Sequence, residues 1–335
     1  MTELAVESSA PARVDLAGGT LDLWPLHVLH PGSVTVNLAI NLLARCRVRR
    51  GERGFRVLIP ARGFEARGGT AEELLGRPET ALVGSLLAAL RVSGPLEIEI
   101  SSEVPFGSGL GGSSALTVAL LGALERFSPV SLQGVDRVDF VRDVETRVLS
   151  KPAGVQDYFP PLSGGLHRIA FEPGRTRATR SDVDPDLWGR HLTLFDTGAS
   201  HSSGMNNWEI FKSRLEGDAS VAGSLEGVRR AAERMAAAAE ILDFPAMGRA
   251  LGDEWDARSM LAPVVSTPLI ERAIAAARSA GAWAGKACGA GGGGCVVFLS
   301  PSDRTPSVRD DLSRLGEGAI LPVRAVNRGL EVSKA

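Results

Sequence analysis

Pro105-Phe106-Gly107-Ser108-Gly109-Leu110-Gly111-Gly112-Ser113-Ser114-Ala115 is the stretch on which the reading of this chain turns. Four glycines and three serines fall within residues 107–114, and an apolar run from Leu116 to Leu124 follows directly. Glycine lets a backbone curl and come close to a ligand, because no Cβ intervenes. A helix starting behind such a loop leaves unpaired N–H groups, which together with its dipole favour an anion. Serine hydroxyls add donors to phosphate oxygens or ligands for a hard cation. The stretch reads as a phosphate cradle; the alternative is an ordinary Gly/Ser loop capping a helix. It is not a P-loop, which ends in Gly-Lys-Ser/Thr. Gly107, Gly109 and Gly112 spell G-x-G-x-x-G, but the polar Ser101-Ser102-Glu103 and Pro105 stand where a dinucleotide fingerprint runs straight from strand to turn.

Two other segments share this character. Pro11-Ala12-Arg13-Val14-Asp15-Leu16-Ala17-Gly18-Gly19-Thr20-Leu21-Asp22 ends an apolar stretch in two glycines, a threonine and an acid. A carboxylate beside a glycine turn suits polyol recognition, since it accepts from two hydroxyls at once; alternatively Asp22 caps a helix. Lys286-Ala287-Cys288-Gly289-Ala290-Gly291-Gly292-Gly293-Gly294-Cys295 holds five glycines in six residues ahead of an apolar strand. Ordering so many glycines costs entropy, which close packing against a ligand or another loop offsets; a flexible linker is the alternative. A fourth element pairs Glu145, on an expected helix, with Gly154-Val155-Gln156-Asp157. One carboxylate suits a metal and the other a substrate hydroxyl, although the default for Glu145 is a solvated helix residue.

Working outward, 335 residues with 44% hydrophobic and 23% charged side chains suit one large domain or two. A net charge of −2 argues against a nucleic-acid or membrane-surface partner held by bulk charge. Cys46, Cys288 and Cys295 have no metal-ligand spacing and read as reduced thiols of a cytoplasmic protein. The N-terminus lacks signal-peptide character and no apolar run is long enough to span a membrane.

Periodicity predicts strands over 33–48, 55–59, 96–100, 165–171, 191–196, 295–300 and 319–326, and helices over 71–92, 113–127, 135–149, 220–242, 245–260 and from Thr267-Pro268 to about 280. The polar stretch 172–186 reads as a connection. Strands and helices mix in both halves without strict alternation, so the class is α+β.

The ordered motifs Arg13…Gly18-Gly19-Thr20-Leu21-Asp22, Pro105…Gly112-Ser113-Ser114, Gly154-Val155-Gln156-Asp157 and Lys286…Gly294 together resemble the GHMP kinases (galactokinase, homoserine kinase, mevalonate kinase, phosphomevalonate kinase) over nearly the whole chain. The likeness is nearest to sugar kinases of the heptose 7-phosphate kinase type. It implies a two-domain α+β fold, an ATP-binding domain over 1–185 and a ferredoxin-like domain over 186–335. It implies ATP held by Pro105, Gly107, Ser108, Gly109, Leu110, Gly111, Gly112, Ser113 and Ser114, and Mg²⁺ held by Ser113 or Ser114 with Glu145. Asp157 would face the attacking hydroxyl, with Arg13 paired to it and to the transferring phosphoryl group. Gly18, Gly19, Thr20 and Asp22 would meet the sugar, and the loop containing Gly291 and Gly292 would close the site. The Gly-Glu-His-Thr-Asp form of galactokinases is absent. Where the heptose kinases read Gln-Asp-Gln, this chain reads Gln156-Asp157-Tyr158.

The expected activity is therefore transfer of the ATP γ-phosphate to a sugar or sugar phosphate, by a monomer or homodimer. Other GHMP kinases of the galactokinase or mevalonate type, a non-catalytic ligand-binding member and a decarboxylase are the alternatives. Lys212 and Arg214 are the candidates for meeting a sugar phosphate, against a solvated helix face.

Overall fold

Two long strands carry the first half of the molecule. The computed structural model describes residues 5–132, 135–199 and 203–334. In chain order the elements are β1 (Ala5–Ala17), α1 (Leu26–Leu29), β2 (Val34–Arg50), β3 (Phe55–Ile59), β4 (Phe64–Gly68), α2 (Ala71–Leu75), α3 (Pro78–Ala89), β5 (Leu96–Ser102), α4 (Gly112–Leu124), α5 (Val135–Leu149), α6 (Phe159–Ser163), β6 (Leu166–Glu172), β7 (Arg175–Ser181), α7 (Pro185–Gly189) and β8 (Leu192–Asp196). They continue with α8 (Ser203–Leu215), α9 (Ala219–Glu240), α10 (Phe244–Ser259), α11 (Pro268–Ser279), β9 (Ala284–Ala287), β10 (Cys295–Leu299), α12 (Thr305–Ser313), β11 (Ala319–Leu321) and β12 (Glu331–Lys334).

β2 organises the larger sheet. One edge pairs antiparallel with β1 along almost its whole length. The other edge serves β6 near its start and β5 near its end. Past Ala44 its side chains alternate strictly: Cys46 and Val48 go inward, Arg45, Arg47 and Arg49 outward, the last three ion-paired with Glu103, Glu7 and Glu97. Helix α4 is apolar on all sides and is accordingly buried, packed on β1 and β2.

The smaller sheet is antiparallel in the order β11-β8-β10-β9. With helices between β8 and β9 and between β10 and β11, this is the ferredoxin-like topology the resemblance implies. The α+β class is as expected. Thr267 caps α11 through Ile270 N, with Pro268 at the first helical position.

Several elements differ from the sequence reading. The expected helix over 71–92 is two helices, broken ahead of Pro78, which cannot donate to a preceding turn. The polar connection expected over 172–186 contains strand β7, exposed along most of its length and formed by pairing with β6. β1, β4, β9, α8 and α12 were not expected, and the strand expected over 319–326 stops at Leu321, before Pro322. The C-terminal range 186–335 also gives its last residues to the first sheet. Ala325 bridges Ile40, and β12 pairs with residues 6–9 of β1.

One of the apolar clusters spans the two halves. Val14, Leu16, Val36 and Ile40 from the first sheet pack with Met235, Leu251, Leu194 and Val297 from the second half. This continuous burial fixes the halves against each other along the ends of β1 and β2, where the first motif emerges. Among the described residues no helix is long and apolar enough to cross a membrane.

Candidate active site

Irregularities in the β1–β2 pairing fall between Pro11 and Ala12 and again between Asp15 and Ala17. Such irregularities re-aim side chains. Between them Arg13 and Asp15, two apart, share one face, while Val14 and Leu16 enter the core. Arg13 reaches the glycine-rich loop through main chain and side chain alike. Its N–H donates to Leu110 O at 3.0 Å and its Nη1 to Gly109 O at 2.6 Å. Its Nε and Nη2 both donate to Asp157 Oδ1, at 2.9 and 2.7 Å. Burial alone would lower the Arg13 pKa, but the neighbouring acids, Asp157 first and then Asp15, together outweigh it and the pKa is raised. Asp157 Oδ2 has no protein hydrogen bond among the described residues, and the side chain is 30% exposed. One carboxylate oxygen is thus engaged and the other is available to a ligand.

The cradle loop takes its shape from glycine. Gly107, Gly109 and Gly111 all have left-handed φ, from 70° to 74°. Gly111 is the residue before α4 and offers no side-chain cap, so the first-turn N–H groups of α4 are left to the loop side. The second glycine loop lies directly against it. Cys295 N donates to Ser108 O at 2.8 Å, and a Cβ on Gly109 would sit 2.3 Å from Cys288 O. Burial pushes the Cys288 thiol up to about 12, so it stays a thiol. Within that loop the contacts differ by residue. Gly289 and Gly294 touch the cradle, while Gly292 N donates to Val265 O at 2.7 Å and Gly291 lies against the same carbonyl.

Glu145, on α5, is buried against the start of α4. It accepts from Ser113 Oγ (2.7 Å) on Oε1, and from Ser114 Oγ (3.3 Å) and the Tyr158 hydroxyl on Oε2. Burial raises its pKa against the opposing hydrogen bonds from Tyr158 and Ser113. Ser113 is exposed and Ser114 buried, which makes the Ser113 hydroxyl the accessible one. Glu145 is therefore no solvated surface residue. The sequence departure at Tyr158 also finds its place: the ring turns into the core beneath Glu145.

Asp22 caps no helix. It is 6% exposed and accepts from Gln156 N at 3.1 Å. Gly154 is what permits this, since a Cβ there would lie 1.8 Å from Asp22 Oδ2. Burial, and then the charge of Asp157, lift the Asp22 pKa from 3.8 to about 7. Gly18 has φ 92° and Thr20 φ 79°, so the turn leading to Asp22 is left-handed twice.

Beneath that turn lies a buried charge network that sequence reading missed. Lys286 Nζ donates to Asp15 Oδ2 (3.1 Å) and Glu254 Oε1 (3.0 Å). Arg258 donates to Glu254 Oε1 through Nε and Nη2, to Gly19 O at 2.7 Å, and to Thr20 Oγ1 at 3.3 Å. Burial opposes the charge on Glu254, but Arg258 and Lys286 outweigh it and hold its pKa down to about 2. The i,i+4 spacing of Glu254 and Arg258 beside Leu251 and Trp255 was the available signal, pointing to an ion pair on an inward helix face. Lys212 and Arg214 do not act as a pair. Lys212 is exposed and bonded to Glu209, and Arg214 Nε donates to His30 Nε2.

Comparison with known proteins matches the family models "GHMP kinases N terminal domain" over residues 80–165 and "GHMP kinases C terminal" over 230–318, together just over half of the chain. A D-glycero-alpha-D-manno-heptose 7-phosphate kinase of Campylobacter jejuni is 25% identical over 88% of this chain and 89% of its own length. A mevalonate kinase of Thermococcus gammatolerans is 25% identical over 90% and 91%. The crystal structure of a D-glycero-D-manno-heptose 1-phosphate kinase from Bacteroides thetaiotaomicron superposes with a TM-score of 0.77 at 21% identity, covering 98% of this chain and 99% of that one.

Proposed function

The chain belongs to the GHMP kinases, and from that premise we propose that it phosphorylates a hydroxyl of a sugar or sugar phosphate, with heptose phosphates as the leading acceptor class. GHMP kinases use ATP as phosphate donor. The observation that carries the acceptor reading is the pair of carboxylates at one turn: Asp157 with a free Oδ2, and Asp22 buried beside Gln156 N. A buried carboxylate without a full set of donors favours a ligand that supplies them, and vicinal hydroxyls do so.

The residues present fit a nucleotide–metal complex. The left-handed glycines leave no Cβ in the cradle, and Glu145 with Ser113 supplies hard oxygens. When bound, MgATP supplies the γ-phosphoryl group and neutralises its charge. The cradle N–H groups and the α4 N-terminus would orient the phosphates. Arg13 would lie between Asp157 and the phosphoryl oxygens, adding positive charge where the loose transition state spreads negative charge. Asp157 Oδ2 would accept the hydrogen bond of the attacking hydroxyl and hold it in line. Asp22 would fix a second hydroxyl. The α8 face that brings Asn207 to Thr20 carries Arg214 two turns on, the candidate for an acceptor phosphate.

An ADP-release assay across sugars, sugar phosphates, galactose and mevalonate tests the reading. Turnover confined to heptose phosphates is expected; preference for mevalonate would replace it, and equal use of free and phosphorylated sugar would remove the phosphate contact. Glu145→Gln should raise the Mg²⁺ concentration for half-maximal rate several-fold, because a neutral amide binds a hard cation more weakly. An unchanged Mg²⁺ titration would take Glu145 out of metal binding.

A further inference from the structure

Among the described residues, four non-glycine residues have left-handed backbone: Thr20, Arg91, Ser150 and Leu242. The last three are exposed and directly follow or lie within two residues of the ends of α3, α5 and α9, where the left-handed conformation commonly ends a helix. Thr20 is different. It is buried and follows no helix, and it is β-branched, the kind of residue for which this conformation is a genuine outlier. Such a conformation persists only where surrounding structure over-determines it, and here the surroundings are specific. Arg258 grips the turn by Gly19 O and Thr20 Oγ1, and Asn207 Oδ1 accepts from the same threonine hydroxyl at 3.0 Å. Both come from the second half of the chain. Arg258 is itself fixed by Glu254, Glu254 by Lys286, and Lys286 by Asp15 on β1.

A buried ion network of this kind is a weak source of net stability, since desolvation offsets its attraction. Its geometry serves a different end. Two residues beyond the gripped Thr20 stands Asp22, aimed at the Gln156–Asp157 turn. We propose that Arg258, held by Glu254, Lys286 and Asp15, is a positioning residue for the acceptor site: it pins the left-handed Thr20 and so sets Asp22 against Asp157. The inference rests on the kinase reading for its catalytic consequence, though not for the clamp itself. It makes the acceptor end depend on contacts from α8 and α10, while Arg258 makes its hydrogen bonds to Glu254, Gly19 and Thr20 and, among the described residues, none to the proposed nucleotide cradle.

The test uses the full-length protein with Arg258→Lys, Thr20→Gly and the double variant. Lysine keeps the charge but loses the fork that spans Gly19 O and Thr20 Oγ1. Expected for Arg258→Lys are faster amide exchange over residues 18–23, an acceptor KM raised about tenfold, and an ATP KM within about twofold. Glycine adopts the left-handed conformation without a clamp. The acceptor KM of the double variant should therefore fall below the product of the two single effects. Asn207→Ala gives a second, milder release of the same hydroxyl and should raise the acceptor KM alone. Unchanged exchange over 18–23, or equal rises in both KM values with purely multiplicative behaviour in the double variant, overturns the proposal. A wild-type protein inactive on the whole acceptor panel overturns the kinase reading instead, and the exchange measurement still decides the clamp.

Discussion

The two ends of the site are made of different material. The proposed nucleotide end is main chain: three left-handed glycines, an uncapped helix start, and a second glycine loop laid against the first. The proposed acceptor end is side-chain charge, with Arg13, Lys286 and Arg258 set against Asp157, Asp15 and Glu254, and Asp22 left over. Three cations already answer three carboxylates, so Asp22 is the charge that burial can disfavour, and its raised pKa follows. The nucleotide end therefore depends on what is missing, a Cβ, and the acceptor end on what is paired. Perturbing each end should fail in its own way.

The largest effect is expected at Asp157. Asp157→Asn removes the charge proposed to face the attacking hydroxyl and should lower kcat by roughly 10²–10⁴-fold with little change in nucleotide affinity. Near wild-type turnover would remove the acceptor end from the chemistry.

Lys286→Met should follow. It leaves Asp15 and Glu254 buried with one cation fewer, a change that costs about 3–5 kcal/mol of stability when a buried pair is broken. Each of these carboxylates already has one unpartnered oxygen, Asp15 Oδ1 and Glu254 Oε2, so the network has no spare donor. Denaturant unfolding measures this, and a loss below 1 kcal/mol would mean that the network relaxes or hydrates.

Asp22→Asn splits stability from function. A carboxyl whose pKa rises from 3.8 to about 7 on folding favours the folded state while protonated. That advantage is complete below pH 4 and is lost as pH rises through 7, to the extent of about 4 kcal/mol by the size of the shift. The asparagine variant has no such loss. It should melt above wild type at pH 8 and converge on it toward pH 4, while its acceptor KM rises and its ATP KM does not. A pH-independent difference in melting temperature would show that the Asp22 pKa does not rise on folding.

The smallest effect on the fold belongs to the nucleotide end. Gly111→Val places a branched side chain at φ 71°, with its Cβ 3.3 Å from the Arg13 side chain. Backbone strain of about 1–3 kcal/mol is expected. Nucleotide affinity should fall further than stability does, because the cradle closes. Equal affinity by calorimetry would return this loop to a plain helix cap.

The sequence-level reading succeeded where local chemistry is decisive. Glycine at 107, 109 and 111 is needed for φ near 70° whatever the rest of the chain does, and Thr267-Pro268 starts a helix by itself. It failed at Pro78, where one apolar run concealed two helices, and at β7, whose polar residues are a strand only because β6 offers an edge. At the candidate site, the sequence singled out Arg13, Glu145 and Asp157, which the structure brings to one place beside the glycine-rich loop, yet nothing in it announced the pairing of Asp15, Glu254 and Arg258.

By itself, then, the sequence determined the family, the α+β class and the backbone shape of the glycine-rich loop before α4, because a residue without a Cβ acts on its own φ and ψ. Only the tertiary structure decided which charges meet. Lys286 finds Asp15 across 271 residues, and Arg258 finds Gly19 across 239. Tyr158 turns beneath Glu145, and the last strand returns to pair with the first. A charge buried in low dielectric is tolerated only where a partner is held in place. That partner is supplied by the packing of two halves on one core, which no local pattern in the chain encodes.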